Sequence, residues 1–203
     1  MPKTTFNRCR SCWLHIDKCI CAYIQSQNCQ HKVTIVTRAK EQRIVSNTGR
    51  YISMILPNSQ IVRLDIKGWE QIINNLIQDT AYHHILFFPN PNTKPANQIC
   101  KQLTKPLNII ILDTSWSSAR RWARKKTFLN IPKIELKKHW QSNYLLRTTT
   151  QNNGLCTLES LACLLCELQD SKLNPAINMM NKVLKKMVLG MGSERGKLFA
   201  RNS

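Results

Sequence analysis

The sequence predicts an α/β protein with a predominantly parallel sheet and helices on both faces. Short β-branched apolar runs alternate along the chain with stretches whose apolar residues recur at helical spacing. Alternation of this kind is typical of parallel sheets covered by helices. The length of 203 residues suits one main domain, and a hydrophobic content of 42% is enough for its core.

Five strands are predicted from apolar runs bounded by turn residues. They fall at residues 33–37, 61–64, 85–88, 107–112 and 134–136. In the fourth strand, residues 109–112 form an uninterrupted apolar run, which is typical of a strand buried on both faces. Two prolines, Pro89 and Pro91, stop the third strand because proline cannot donate a ladder hydrogen bond.

Six helices are predicted from apolar stripes and from helix stop signals. They fall at residues 51–56, 69–77, 96–103, 116–126, 158–168 and 174–189. Pro57 closes the first helix. Thr157 is predicted to cap the fifth, with Glu159 in its first turn, where a carboxylate favours the positive end of the helix dipole.

Five of the nine cysteines lie in residues 1–30. Cys9 and Cys12 form one close pair, and Cys19 and Cys21 form another. Paired cysteines at this spacing predict a structural Zn²⁺ site, and the alternative is a set of scattered reduced thiols. We therefore divide the chain into a cysteine-rich zinc-binding segment, residues 1–30, and a main α/β domain, residues 31–203.

The net charge of +19 predicts a polyanionic partner, such as RNA, DNA or an anionic membrane surface. A merely basic surface is the alternative, and the size of the excess favours a nucleic acid. No apolar run approaches the roughly 18 residues that span a bilayer. The first residues do not resemble a signal peptide, so the expected location is cytoplasmic.

The exit of the strand at residues 107–112 is the first place to look for chemistry, because ligands bind beyond the carboxyl ends of parallel strands. Asp113 follows it at once, then Ser115 and Trp116. Asp113 suits a general base, a group that positions a substrate, or a cap for the next helix. Trp116 suits stacking on a base, or burial in the core.

The segment from residue 120 to residue 147 has nine basic residues and one acidic residue. Arg120, Arg121 and Arg124 are spaced to share a helix face, and Lys125 follows. Basic side chains track phosphates and interleaved aromatics stack on bases, which favours RNA binding over a plain solvated face. The interleaved aromatic residues and the histidine are Trp122, His139, Trp140 and Tyr144.

Two further segments suit the binding of an anionic group at a helix start. The first runs from Leu146 to Glu159, is rich in donors and contains Gly154. The second, weaker candidate is the stretch from Asn47 to Arg50, and its alternative is a plain helix start.

Five ordered motifs together resemble the DTW-domain family, the tRNA-uridine aminocarboxypropyltransferases. They are the cysteine pairs, the stretch at residues 41–50, Leu86-Phe87-Phe88-Pro89, the stretch at residues 112–120, and the stretch at residues 146–159. Two departures stand out. Ser115 holds the slot where the family usually has threonine, and the residues before Glu41 lack the usual His-Pro.

The resemblance implies a fold related to the knotted SPOUT-type methyltransferases, with S-adenosylmethionine in a pocket of loops. It implies transfer of the 3-amino-3-carboxypropyl group to N3 of a tRNA uridine, releasing methylthioadenosine. The competing classes are a SPOUT-type RNA methyltransferase and a non-catalytic zinc-containing RNA-binding protein.

From the residues and the resemblance together we expect four groups of site residues. The catalytic candidates are Asp113, Ser115 and Trp116. The cofactor-binding candidates are Phe88, Pro89, Leu112, Arg147, Thr148, Gly154, Leu155, Cys156, Thr157 and Glu159. The RNA-binding candidates are Arg50, Arg120, Arg121, Arg124 and Lys125. The metal ligands are Cys9, Cys12, Cys19 and Cys21.

Overall fold

A six-stranded parallel sheet forms the centre of the protein, in a computed structural model that describes residues 7–89, 93–95, 104–142, 144 and 154–190. The strands are β1 (Lys32–Thr37), β2 (Ser59–Arg63), β3 (His83–Phe87), β4 (Lys94–Pro95), β5 (Leu107–Asp113) and β6 (Lys133–Glu135). Their order is β2-β1-β5-β3-β6-β4, and every pairing is parallel. The predicted parallel sheet is confirmed.

Seven α-helices lie between and after these strands in the described part of the chain. They are α1 (Ala39–Gln42), α2 (Gly49–Ile55), α3 (Trp69–Ile77), α4 (Trp116–Ala123), α5 (Lys126–Leu129), α6 (Thr157–Glu167) and α7 (Asn174–Gly190). The single helix predicted at residues 116–126 is wrong in its length. Lys125 adopts an extended conformation, which separates α4 from α5. The helix predicted at residues 96–103 lies outside the described residues.

Alternate side chains of β5 enter two different apolar clusters, as the two-residue period of a strand requires. Ile109 and Ile111 pack in the first cluster, with α2, α6 and α7. Ile110 and Leu112 pack in the second, with α3, α4 and α5. Helices therefore cover both faces of the sheet, as predicted.

The cysteine segment packs against the first of these clusters. Cys12, Leu14 and Ile20 are buried there. The domain boundary at residue 30 stays a prediction, and so does the knot. None of the helices within the described ranges combines the length and the hydropathy needed to cross a bilayer.

Candidate functional site

Asp113 is a buried carboxylate at the carboxyl end of β5, with 6% of its surface exposed. Asn47 Nδ2 donates to its Oδ2 at 2.7 Å, and the Thr157 hydroxyl donates to its Oδ1 at 2.6 Å. The Thr37 hydroxyl donates to its backbone carbonyl at 2.9 Å. One side chain thus joins the end of β5 to the loop before α2 and to the start of α6.

These contacts exclude one of the three roles that the sequence left open for Asp113. Ser115, with an extended backbone, occupies the N-cap of α4. The carboxylate oxygens of Asp113 accept hydrogen bonds from Asn47 and Thr157 instead. The capping role is therefore wrong, because the carboxylate is directed towards α2 and α6 and away from the helix that follows it.

Gly49, the first residue of α2, lies directly against the Asp113 side chain. A Cβ atom at Gly49 would overlap the carboxylate and stand 2.7 Å from its Cγ. Real Cβ atoms do not approach a carbon so closely, so glycine is required for this contact. The amides at a helix start also carry a partial positive charge, which suits the carboxylate at this place.

The start of α6 is held by a second buried carboxylate. Glu159 Oε2 accepts hydrogen bonds from the Cys156 amide at 2.9 Å and from the Ser142 hydroxyl at 2.7 Å. Cys156 occupies the N-cap, and Thr157 is the first helical residue. The prediction that Thr157 caps this helix is wrong by one position, which leaves its hydroxyl available to bind Asp113.

A cavity of about 200 Å³ opens beside Asp113. The described residues that line it include two carboxylates and no lysine or arginine, although the chain has 30 basic and 11 acidic residues. A cavity of this size takes one head group of a ligand, since pockets for whole ligands measure roughly 300–1,000 Å³. Its lining residues are Glu41, Ile44, Ser46, Asn47, Thr48, Asp113, Thr114 and Thr157.

Only Thr157 among the predicted cofactor-binding residues that the structure describes lines this cavity. Phe88 and Leu112 are buried in the second apolar cluster, and Pro89 is exposed. Arg147 and Thr148 lie outside the described residues. The remaining candidates surround the start of α6 without lining the cavity, and they are Gly154, Leu155, Cys156 and Glu159.

Glu41, Asn47 and Thr114 line the cavity but are absent from the four groups of expected site residues. Glu41 accepts a hydrogen bond from the Thr114 hydroxyl at 3.3 Å, and Asn47 binds Asp113. Glu41 lies on α1, a single turn too short to show helical periodicity. The available signal was the family motif at residues 41–50, which contains both Glu41 and Asn47.

Trp116 and four basic residues, which lie on α4 or in the two positions after it, form an exposed surface close to the site, called here the basic face of α4. Trp116 is 43% exposed, so the alternative that it belongs to the core is wrong. The centroid of its ring lies 6.2 Å from the centroid of the Phe88 ring. Its helical spacing places it on the same side as Arg120 and Arg124. Ser115, also exposed, shares hydrogen bonds with the Ser117 and Ser118 hydroxyls.

The basic side chains of this surface are exposed to solvent and are not neutralised by carboxylates of the described residues. The ion pairs found in the described ranges are His15–Asp17 and Arg63–Asp65, and neither involves the basic helix. Cations free of acidic partners on one exposed face attract a polyanion more strongly than cations that are already neutralised. The exposed residues of this surface are Arg120, Arg121, Arg124 and Lys125.

The aromatic residues interleaved with the basic run have internal partners. Trp122 packs edge-on against Trp69, with ring centroids 5.2 Å apart. Tyr144 is buried, and its hydroxyl donates to the Ser46 carbonyl at 3.1 Å. Trp140 Nε1 donates to the Glu167 carboxylate at 3.0 Å. In this surface, Trp116 is therefore the best placed side chain for stacking on a base.

The four cysteines predicted to bind zinc lie together. Their sulfur atoms are all within 4.8 Å of one another, with Cys9 and Cys21 at 3.6 Å and Cys12 and Cys19 at 3.7 Å. Tetrahedral zinc with Zn–S bonds of about 2.3 Å separates its sulfurs by about 3.8 Å. The cluster therefore fits one metal ion.

Hydrogen bonding and burial act on these thiols in opposite directions. A hydrogen bond from the Cys12 backbone lowers the pKa of Cys9 to about 6. Burial raises the pKa of Cys12 and of Cys21. Since a thiol must ionise before it binds zinc, the affinity of the cluster for zinc should fall as the pH falls.

Changing Cys9 to serine is expected to remove the metal. Wild-type protein should contain about one zinc ion per chain, and the variant should contain much less, because serine is a poor zinc ligand. Metal content measured by plasma emission checks this. Cys166→Ser is the matched control, since Cys166 is exposed and lies outside the cluster. Full zinc content in the Cys9 variant would contradict the assignment.

An acidic cavity at the carboxyl edge of a parallel sheet, a basic helix beside it and a four-cysteine cluster define a ligand-binding α/β protein with a surface for polyanions. A sequence model of the DTW domain matches residues 6–191. The chain therefore belongs to the DTW-domain family, which is associated with tRNA modification. No solved structure matches it.

Proposed function

We propose that this protein transfers the 3-amino-3-carboxypropyl group of S-adenosylmethionine to N3 of a tRNA uridine. The observation that carries the proposal is the cavity beside Asp113, at the edge of the sheet where α/β proteins bind ligands. Membership of the DTW-domain family supports tRNA as the substrate. The exposed basic face of α4 supplies a surface for its phosphates.

The charge of the cavity suits S-adenosylmethionine. This co-substrate carries a sulfonium, an ammonium and a carboxylate. The two cations are attracted by the carboxylates of Glu41 and Asp113, and the carboxylate of the co-substrate must be directed away from them. Since the cavity holds only a head group, the adenosine must extend beyond it. The exposed Trp116 ring offers a flat apolar surface for the adenine or for the target base.

In the proposed reaction, uridine N3 attacks the carboxypropyl carbon bonded to sulfur. The N3–C bond forms as the C–S bond breaks. The electron pair of the C–S bond stays on the sulfur, neutralises it and so releases methylthioadenosine. The N3 proton leaves to an acceptor. Asp113 is our candidate for that acceptor or for the group that hydrogen-bonds the uracil, because Asn47 and Thr157 fix the direction of its carboxylate.

The transferred group is decided by orientation, since three carbons of the sulfonium are electrophilic. We propose that the head-group cavity aims the carboxypropyl carbon, rather than the methyl, at the uracil.

We also propose a SPOUT-like knotted catalytic domain after the zinc segment, a structural role for the zinc, and a cytoplasmic location. The cysteines in the described residues are free, which agrees with a reducing compartment.

One experiment tests the proposal against its alternatives. Unmodified tRNA is incubated with the protein and S-adenosylmethionine labelled either in the methyl or in the carboxypropyl group. Carboxypropyl label in the RNA is the expected result. Methyl label would establish an RNA methyltransferase instead, and no label with retained tRNA binding would establish a non-catalytic RNA-binding protein.

The basic face of α4 should dominate the salt dependence of tRNA binding. Removal of one cation that binds a phosphate reduces the slope of log K against log salt by about one, so Arg120→Gln with Arg124→Gln should reduce it by about two. Filter binding over a series of salt concentrations measures this slope. Lys182→Gln, exposed on α7, is the control and should leave it unchanged. An unchanged slope in the double variant would place the RNA surface elsewhere.

A further inference from the structure

Arg50 has a different environment from the other predicted RNA-binding residues. Its guanidinium donates to the carbonyls of Gln42 and Ile44, the latter at 2.8 Å, and its Nε donates to the Asn47 carbonyl at 3.4 Å. Burial lowers the pKa of Arg50. The forked donor geometry of arginine suits several carbonyl acceptors at once, which a lysine cannot satisfy. Contact with RNA stays a prediction for Arg50, whose Nε and Nη2 donors are already engaged inside the protein.

Trp13 connects this arginine to the cysteine knuckle, which we define as residues 9–21. The Arg50 guanidinium lies over the Trp13 ring, 5.9 Å from its centroid. Trp13 Nε1 donates to the Arg43 carbonyl at 2.8 Å. Trp13 has a positive φ of 64°, which is unfavourable for a bulky residue. Its amide bonds to the Cys9 carbonyl at 2.9 Å, so the knuckle itself holds this conformation.

A third contact joins the knuckle to α2. The Tyr51 hydroxyl donates to the carbonyl of Cys12, one of the four proposed zinc ligands, at 3.0 Å. Both residues are fully buried. Because Tyr51 follows Arg50 directly, two successive residues at the start of α2 bind the same small knuckle. A shift of the knuckle would therefore move the start of that helix.

The same segment orients the site. Asn47 accepts a hydrogen bond from the Arg50 amide through Oδ1, at 3.3 Å, which leaves its Nδ2 directed at Asp113. Gly49 lies against the Asp113 carboxylate. Continuous hydrogen bonds and packing contacts thus run from the knuckle through Trp13 and Arg50 to Asp113.

We propose that Trp13 and Arg50 are positioning residues that transmit the order of the metal-loaded knuckle to the cavity beside Asp113. The inference rests on the proposed function in one respect, which is that the cavity binds S-adenosylmethionine. It assigns the knuckle to support of the cofactor pocket rather than to contact with tRNA. Loss of zinc or of either residue then weakens cofactor binding and spares tRNA binding.

The test compares Arg50→Met with the double variant Arg120→Gln and Arg124→Gln in the full-length, zinc-loaded protein. Calorimetry measures the Kd for S-adenosylmethionine, and filter binding measures the Kd for an unmodified tRNA transcript. Arg50→Met should weaken cofactor binding by roughly tenfold or more and leave tRNA binding unchanged. The double variant should show the opposite pattern. Arg50→Lys, which keeps the charge but loses the forked donor geometry of the guanidinium, should resemble Arg50→Met.

Hydrogen–deuterium exchange supplies a readout that needs no cofactor. Residues 42–51 should exchange faster in Trp13→Ala, in Arg50→Met and after zinc removal, while β5 stays protected. Trp13→Phe, which keeps the ring but loses the N–H donor, should fall between wild type and Trp13→Ala. Unchanged exchange in residues 42–51, or an Arg50→Met variant that loses tRNA affinity alone, would overturn the inference. Failure of the wild-type protein to bind S-adenosylmethionine would overturn the proposed function and leave the exchange test valid.

Discussion

Asp113→Asn is expected to lower the rate of carboxypropyl transfer by roughly a hundredfold or more while the protein stays folded. The amide of asparagine matches the carboxylate in size. Its oxygen can accept from Asn47, and its NH₂ group can donate to Thr157, whose hydroxyl rotates to accept. The substitution therefore removes the charge and the basicity but keeps the local hydrogen bonds. Labelled S-adenosylmethionine and tRNA measure the rate, and thermal unfolding measures the fold.

Asp170→Asn is the matched control for this prediction. Asp170 also accepts two hydrogen bonds, from Gln30 and from the Lys172 amide. It lies near Leu107, at the opposite end of β5 from the site. Its substitution should leave transfer unchanged. Near-normal transfer by Asp113→Asn would remove Asp113 from the chemistry and restrict it to a structural role.

Gly49→Ala is expected to destabilise the protein by about 2 kcal/mol and to lower transfer strongly. At an unstrained helix position, glycine to alanine normally stabilises, by about 0.4–1 kcal/mol. Here the new methyl group would overlap the Asp113 carboxylate, which is buried and hydrogen-bonded on both oxygens. Either the carboxylate or the start of α2 must move, and both movements disturb the cavity. Urea unfolding and the transfer assay measure the two effects.

Gly68→Ala is the control that shows the effect of backbone strain alone, without the overlap expected in Gly49→Ala. Gly68 has a φ of +81°, and a Cβ there would meet no atom within 4 Å. Alanine should cost about 1–2 kcal/mol through the left-handed conformation alone, with transfer unchanged. A stabilised and fully active Gly49→Ala variant would contradict the close contact between α2 and Asp113.

The sheet and the position of Asp113 were predictable because both follow local rules. The strand before Asp113 is buried on both faces, and its residues 109–112 form an apolar run that can be recognised without tertiary information. The carboxyl ends of parallel strands then point to the site. Elements of four residues or fewer were predicted less well, and α1 and β4 were missed, because they are too short to show a period.

The partners of Asp113 could not be predicted because they come from distant parts of the chain. Asn47 is 66 residues away and Thr157 is 44 residues away. The structural role of Arg50 depends likewise on the fold of the cysteine knuckle. From the sequence alone an arginine beside a glycine-containing helix start resembles a phosphate-binding residue. Only the surrounding carbonyls reveal that its Nε and Nη2 donors are used internally.

The Asp113 carboxylate, which binds residues beside α2 and at the start of α6, also constrains the order of folding. A parallel sheet whose central strand β5 lies between β1 and β3 closes long loops, which slows folding. The head-group cavity needs residues from position 41 to position 157 at once, so it forms only after these loops have closed. A chain that ends before α6 lacks one wall of the cavity. During refolding, ligand binding should therefore appear last, in molecules whose whole chain has already folded.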